Sequence, residues 1–241
     1  LDNTIVVRPA GPDDLHFAET ITAEMEESAK ARGTGIAKRS PDYIREKINE
    51  GKAVIALTAE GAWVGFCYIE AWENENYVAN SGLIVSPAFR KSGVAREIKR
   101  RIFELSKTKY PNAKIFGLTT GLAVMKINSE LGYEPVTYSE LTSDEAFWKG
   151  CQSCVNYDIL MSKGRKNCLC TAMLYDPATA KTSNNPSTNT TSQDDEKRVF
   201  EGNFSLFDRW VRFKQFVLLK TIGKKDGQDG GSSILNSFFF L

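Results

Sequence analysis

The sequence predicts a mixed α/β domain built on one central sheet, and three observations carry that prediction. Short runs of β-branched residues alternate with segments whose apolar residues recur at helical spacing. Their order is strand, two helices, three strands, helix, strand, helix, strand, which one sheet flanked by helices accommodates. At 241 residues the chain is also long enough to bury one sizeable core.

The first element is TIVVRPA, Thr4 to Ala10, a β-branched run closed by the turn Gly11-Pro12-Asp13-Asp14. A helix follows, because Leu15, Ala18, Ile21, Thr22, Met25 and Ala29 keep helical spacing while Glu19, Glu24, Glu26 and Glu27 fall on the other side. Gly33 ends it. Ser40 before Pro41 is a cap followed by proline in a first turn, so a second, shorter helix runs to about Glu50. Strands are predicted at Ala53 to Leu57, Trp63 to Ala71 and Tyr77 to Val85, with Glu60-Gly61 as a hairpin turn. Val94 to Lys107 is a basic helix with Val94, Ile98, Ile102 and Leu105 on its inner face. Lys114 to Leu118 is a strand. Leu122, Met125, Ile127 and Leu131 then mark a helix that Gly132 stops, and Tyr133 to Tyr138 returns as strand. Val155 to Met161 reads as the last strand, beside Thr171 to Leu174.

This domain is expected to span residues 1–176. Residues 177–200, from PATAKTSNNPSTNTTSQDDEK onward, are too poor in apolar side chains to order themselves and read as a flexible polar linker. Residues 201–222 carry a basic amphipathic helix around Phe207 to Lys220, suited to docking on its own domain, on a second copy in a homo-oligomer, on a partner helix or on a membrane surface. A flexible terminus, 223–241, completes the chain. Lys plus Arg number 31 against 30 for Asp plus Glu, and a net charge of +1 gives no general attraction to nucleic acid or membrane. Any electrostatic partner must be held locally. The opening LDNTIVVRPAGPDD lacks the basic start and apolar stretch of a secretory leader, and no run approaches the roughly 20 apolar residues of a membrane span, so a cytoplasmic location is expected. His16, the one histidine, is expected to face solvent, which argues against histidine catalysis. Cys67 reads as a small buried strand residue.

The most informative stretch is RKSGVAREIKRR, residues 90–101, directly after the strand that ends at Val85 and the break Ser86-Pro87. A helix start leaves its first amide groups without partners, and its peptide dipoles put partial positive charge there, so it can hold a phosphate. Gly93 has no side chain to block an anion, Ser92, Val94 and Ala95 can bring amides to it, and Lys91 and Arg96 add charge. The alternative is an ordinary well-formed helix start.

This element order, with Arg90-Lys91-Ser92-Gly93-Val94-Ala95 after the strand and Leu131-Gly132-Tyr133 at the end of a later helix, resembles the GNAT superfamily of acyl-CoA-dependent N-acyltransferases. The first motif fits the family signature of Arg or Gln, two residues, Gly, one residue, then Gly or Ala. The resemblance covers residues 4 to about 160. It implies a GNAT-like central mixed sheet flanked by helices, here with a cysteine-rich C-terminal extension and a tail helix. It also implies that Arg90 to Arg96 cradle the pyrophosphate of acetyl-CoA, while main-chain groups around Leu83 and Val85 take the pantetheine and polarise the thioester carbonyl. Many relatives place a tyrosine acid where this chain has Asn128, and some place a glutamate base where it has Ala79. An amide cannot act as an acid near neutral pH, although its NH₂ can hydrogen-bond the departing sulfur. Glu70 is the best carboxylate left, with an ordinary strand-end charge as the alternative.

The segments RPAGPDDLHFAE, ARGTGIAKRSPDYI, FGLTTGLAVMKINSELGYEPV and FWKGCQSCVNYDIL are further similar to short single-domain N-acetylglutamate synthase-like proteins of bacterial arginine biosynthesis. That implies an enzyme with acetyl-CoA as donor, a larger acyl group being the alternative, and a small amino acid, glutamate, as acceptor. A CoA-binding module without turnover is the alternative. In this family the connection between the first two helices overhangs the acceptor site. Arg32, Lys38 and Arg39 there would suit a carboxylate, unless the loop is only a solvated basic turn.

Cys151, Cys154, Cys168 and Cys170 form a CxxC and a CxC pair, and four soft ligands in two close pairs suit a structural zinc site, with reduced structural cysteines as the alternative. Such a site is not expected to touch catalysis.

Overall fold

The computed structural model describes residues 4–33 and 38–182. It contains strands β1 (Ile5–Pro9), β2 (Ala53–Thr58), β3 (Trp63–Trp72), β4 (Tyr77–Val85), β5 (Lys114–Thr119), β6 (Glu134–Val136) and β7 (Thr171–Tyr175). Its helices are α1 (Ala18–Arg32), α2 (Pro41–Asn49), α3 (Val94–Lys109), α4 (Leu122–Glu130), α5 (Glu145–Lys149), α6 (Tyr157–Ser162) and α7 (Pro177–Thr182). The strands form one sheet in the order β1-β2-β3-β4-β5-β7-β6. Every pairing is antiparallel except β4 with β5, which α3 joins as a crossover.

Side-chain alternation divides the core between the two faces of the sheet. Ile21 and Met25 of α1 and Ile44 and Ile48 of α2 pack with Ile55, Phe66, Tyr68 and Ile84 on one face. On the same face, farther along the sheet, Phe116, Ala172 and Leu174 are covered by Tyr138, Leu141, Trp148 and Leu160 of the C-terminal segment. Two polar clasps hold that segment in place. Glu73 accepts hydrogen bonds from Thr142 Oγ1 (2.8 Å) and Ser143 N (2.6 Å), and Trp148 Nε1 donates to Thr142 O (2.9 Å). The opposite face of β3 and β4 is covered by α3, whose buried residues are Val94, Ile98, Lys99, Ile102, Phe103 and Ser106. Leu105, expected inside, is only half-buried, and the lysine at 99 is inside instead.

Two sequence expectations require correction. Val155 to Met161 is not a strand: the place beside β5, between it and β6, is taken by β7 (Thr171–Tyr175). The stretch instead forms α6, started at Asn156, with Leu160 buried while Val155 and Met161 face solvent. The expected linker begins later than Pro177. Asp176 Oδ1 accepts from Ala178 N (2.9 Å), and Pro177 opens the short helix α7. The remainder of the linker, the tail helix at 201–222 and the terminus at 223–241 lie outside the described residues. Among the described residues no helix is long and apolar enough to cross a membrane.

Candidate functional site

The sheet opens at one place. β4 and β5 pair only at Tyr77 with Lys114, Val78 with Ile115 and Ala79 with Phe116, although β4 continues to Val85 and β5 to Thr119. Past Ala79, therefore, the edge of β4 that faces β5 has no strand to bond. The pairing with β3 explains the divergence: Phe66 faces Ile84 while Tyr68 faces Ser81, so Gly82 and Leu83 oppose Cys67 alone in a bulge that bends β4. Gly82 is required there. Its φ is +65°, and a Cβ would stand 2.2 Å from Tyr68 Cε1, so the ring of Tyr68 lies directly on the bulge.

The bent strand leads to the start of α3. The chain is left-handed at Lys91 (φ +66°) and Gly93 (φ +87°), and a Cβ at Gly93 would meet nothing within 4 Å. Arg96 N makes the first bond of the helix, to Gly93 O (3.0 Å), which leaves the amides of Val94 and Ala95 without partners inside it. An open, positively polarised helix end of this kind can hold a phosphate group. Three expected cradle side chains are already engaged. Arg90 donates to Glu24 Oε1 (2.9 Å), Ser28 Oγ (2.7 Å) and Val85 O (3.1 Å), which ties the loop to α1. Arg96 pairs with Glu130 (2.9 Å), which ties α3 to α4. Ser92 Oγ donates to Phe89 O (2.6 Å), leaving its main chain to do any anion binding.

A second polar group lies on the α1/α2 face, next to the bulge. Glu70, a buried carboxylate, accepts from Arg39 Nη2 (2.9 Å) and from Tyr43 OH (2.5 Å) on the same oxygen, Oε1. Arg39 Nε also donates to Tyr68 OH (3.1 Å), and its guanidinium lies 4.9 Å from the Tyr43 ring centroid. A continuous chain of contacts thus runs from Gly82 through Tyr68 and Arg39 to Glu70 and Tyr43. Burial, with the Glu70 charge in second place, pushes both tyrosine hydroxyls well above their ordinary range. Burial works against the charge on Arg39, but Tyr68 and Glu70 outweigh it. Glu70 is therefore neither the open base nor the strand-end charge that its sequence position suggests. It is one half of a buried ion pair.

The other expected acceptor residues are not gathered in the same way. Lys38 is exposed, and its ammonium pairs loosely with Glu26 (3.3 Å). Arg32 ends α1, and its side chain lies outside the described residues. Asn128 is buried in α4; its Nδ2 lies 3.8 Å from Met173 Sδ, and its Oδ1 has no hydrogen-bond partner. A Cβ on Gly117 would lie 3.8 Å from Asn128 Nδ2 and 4.0 Å from Asn80 O, so Asn128 borders the fork where β4 and β5 part.

The cysteine segment lies closer to this group than its sequence suggests. Ser153, between Cys151 and Cys154, accepts a hydrogen bond from Lys38 N (3.1 Å), so this segment braces the connection that carries Arg39. Burial and the neighbouring Cys154 and Cys168 push the Cys151 thiol up to about 11. Burial first, then all four thiols, raises the hydroxyl of Tyr138, which donates to Cys170 O (3.0 Å). All four cysteines thus lie within electrostatic reach of one tyrosine. Even so, among the described residues no group of three or more His, Cys, Asp or Glu side chains is disposed to hold a metal ion, and the zinc expectation gains no support from this geometry.

No family model matches the sequence, and no curated protein matches it. Solved structures do share its architecture. The chain superposes on N-acetylglutamate synthase from Neisseria gonorrhoeae, solved with coenzyme A and N-acetyl-glutamate, with a TM-score of 0.51 at 16% identity over 73% of this chain. The chain has the GNAT acetyltransferase fold. Two other GNAT-fold structures span nearly their full length in the comparison. Rv2747 from Mycobacterium tuberculosis, solved with CoA, gives a TM-score of 0.51 at 17% identity over 71% of this chain and 98% of its own. The yncA protein from Salmonella typhimurium, solved with acetyl-CoA, gives 0.50 at 12% identity over 79% and 99%. By contrast, the chain spans only 36% of the gonococcal synthase.

Sequence reasoning missed Tyr43, Tyr68, Lys99 and Ser153. Only Lys99 had a usable signal, because it stands three residues before Ile102 and four before Phe103, on the buried side of α3. The other three become visible only when helix α2, the strand β3 and the segment near residue 153 meet the connection after α1 in space.

Proposed function

We propose that the chain is an acyl-CoA-dependent N-acetyltransferase that moves the acetyl group of acetyl-CoA to the amine of a small amino acid, with glutamate the first acceptor to test. One observation carries the reading: the open start of α3 at Gly93 continues directly into the unpaired edge of β4 beyond Ala79. The amides of Ser92, Gly93, Val94 and Ala95, with the charge of Lys91, would hold the pyrophosphate, and main-chain groups of Leu83 to Val85 would line the pantetheine and thioester. Arg90 and Arg96 act as braces of that loop rather than as phosphate ligands.

The acceptor is assigned to the Arg39–Glu70 group. Within the described hydrogen bonds Glu70 Oε2 is unused, and Arg39 Nη1 makes only a long one, to Lys38 O (3.4 Å). A zwitterion can use both, its ammonium on Glu70 and its carboxylate on Arg39. The amine nitrogen, once neutral, attacks the thioester carbonyl carbon; the carbon–sulfur bond then breaks and CoA leaves as a thiol. The gonococcal synthase, solved with N-acetyl-glutamate, supports an amino-acid acceptor of this class.

A second reading, a CoA-binding module without turnover, is favoured by one observation: Asn128 stands where a proton donor would be useful and cannot supply a proton. Release of thiol from acetyl-CoA with a panel of amino acids separates the two. Turnover on glutamate that is lost in Gly93→Glu supports the enzyme. CoA binding without thiol release on any acceptor supports the module.

A further inference from the structure

Lys99 is a buried amine for which the function proposed above has no use. Its residue is 2% exposed, and among the described residues no carboxylate pairs with it. Its ammonium lies 5.4 Å from the centroid of the Tyr133 ring. Tyr133 in turn donates from its hydroxyl to Asn80 Oδ1 (2.9 Å), and Asn80 Nδ2 donates to Ser106 Oγ (2.8 Å) on α3. Asn80 is the first β4 residue past the point where β5 parts from it.

The level of Lys99 along β4 follows from its neighbours. Because β4 and β5 are parallel, α3 runs back along β4 on its way to β5. A Cβ on Gly65, the partner of Val85, would stand 2.7 Å from Ile98 Cδ1, so the helix passes the end of β4 at Ile98. It passes Asn80 at Ser106. Lys99 lies between these two levels, beside the Gly82-Leu83 bulge. Cys67, the β3 residue opposite that bulge, interacts electrostatically with Lys99, as expected at this level. The lysine side chain extends from α3 to the ring of Tyr133, whose hydroxyl bonds Asn80 at the point where β4 and β5 part.

We propose that Lys99 stabilises and protonates the CoA thiolate as it leaves. The inference rests on the reading that the thioester lies along the edge of β4 at the bulge. When the tetrahedral intermediate collapses, the carbon–sulfur bond breaks and its electron pair goes to sulfur, which takes a proton from the Lys99 ammonium. The proton lost by the acceptor nitrogen passes to solvent, from which the neutral lysine is recharged, so charge and protons balance. Lys99 would thus supply what Asn128 cannot. The groups facing it fit this role: Cys67 and Tyr133 are the titratable neighbours, and burial lowers the proton affinity of the lysine while Cys67 opposes that shift.

The test needs no acceptor. CoA and desulfo-CoA are titrated into the full chain, and the ultraviolet absorbance of the bound thiolate is followed against pH. In the parent protein the bound CoA thiol should titrate at least about one pH unit below free CoA, a tenfold shift in its ionisation. Lys99→Arg should keep most of that shift and Lys99→Met should lose it, while both bind desulfo-CoA within about threefold of the parent. A thiol that titrates in the parent where free CoA does overturns the proposal, whether or not the variants fold. Retention of the full shift in Lys99→Met overturns it as well, since the field would come from elsewhere. Failure of the parent to bind CoA at all would instead remove the acetyltransferase reading, and this inference with it.

Discussion

Glu70→Gln removes one charge from the Arg39–Glu70 pair while keeping the shape of the side chain. Glu70 is 6% exposed and Arg39 19% exposed at their side chains, so the pair is largely removed from water. Breaking a buried pair by neutralising one partner destabilises by about 3–5 kcal/mol, because the other charge stays buried without compensation. Here Arg39 keeps its bond to Tyr68 OH and its contact with the Tyr43 ring, and it reaches solvent in part. The expected loss is therefore smaller, about 2–3 kcal/mol. For a domain of this size each kcal/mol shifts Tm by about 2–4 °C, so Tm should fall by about 4–12 °C. Removing the second charge as well, in Arg39→Met/Glu70→Gln, should recover at least about 1 kcal/mol, since no orphaned charge remains. Thermal denaturation of parent, both single variants and the double variant, followed by circular dichroism at one pH, measures all of these terms. A Tm within about 1 °C of the parent for Glu70→Gln, or strictly additive single effects, would refute the buried-pair account.

Three further predictions concern single contacts. Gly82→Ala puts a Cβ into the Tyr68 ring at a residue with φ +65°, so it should destabilise by at least about 2 kcal/mol and weaken CoA binding, measured by denaturant melts and calorimetry; a fully stable variant would remove the bulge from the argument. Ser153→Ala deletes the acceptor for Lys38 N and, at about 1 kcal/mol, should raise the KM of the amino-acid acceptor about fivefold with acetyl-CoA affinity unchanged, as steady-state kinetics would read. Asp14 is buried, which raises its pKa, but bidentate hydrogen bonds from Arg8 (2.7 and 2.9 Å) and one from Gly11 N (2.8 Å) more than reverse the effect and hold it low. Its stabilisation is accordingly present above the ordinary carboxylate range near about 4 and is lost as pH falls through the lowered value. Asp14→Asn should be less stable by about 1–2 kcal/mol at neutral pH and should show a flatter loss of stability in acid, as denaturant melts across pH would report.

Signals that act over a few residues were enough to determine the order of elements. Ser40 and Pro41 start α2 because the Ser40 side chain accepts from Tyr43 N (3.2 Å) across one turn, and Gly93 starts α3 because it alone takes a φ of +87° without strain. Periodicity and caps act within one element, so β1 to β5, α1 to α4 and the open helix end at Gly93 could all be read from the chain. Pairing between distant segments could not. Nothing near residue 155 reveals that Thr171–Tyr175 will occupy the slot between β5 and β6, so a run that looked like a strand became α6. Charges show the same division. The sequence placed Arg39, Arg90 and Arg96 among basic residues free to meet a ligand, yet Glu70 claims the first, Glu24 and Ser28 claim the second, and Glu130 claims the third. A side chain's charge is set by its chemistry, but what it is free to bind depends on which neighbours the folded chain brings within about 3 Å of it, and only tertiary structure decides that.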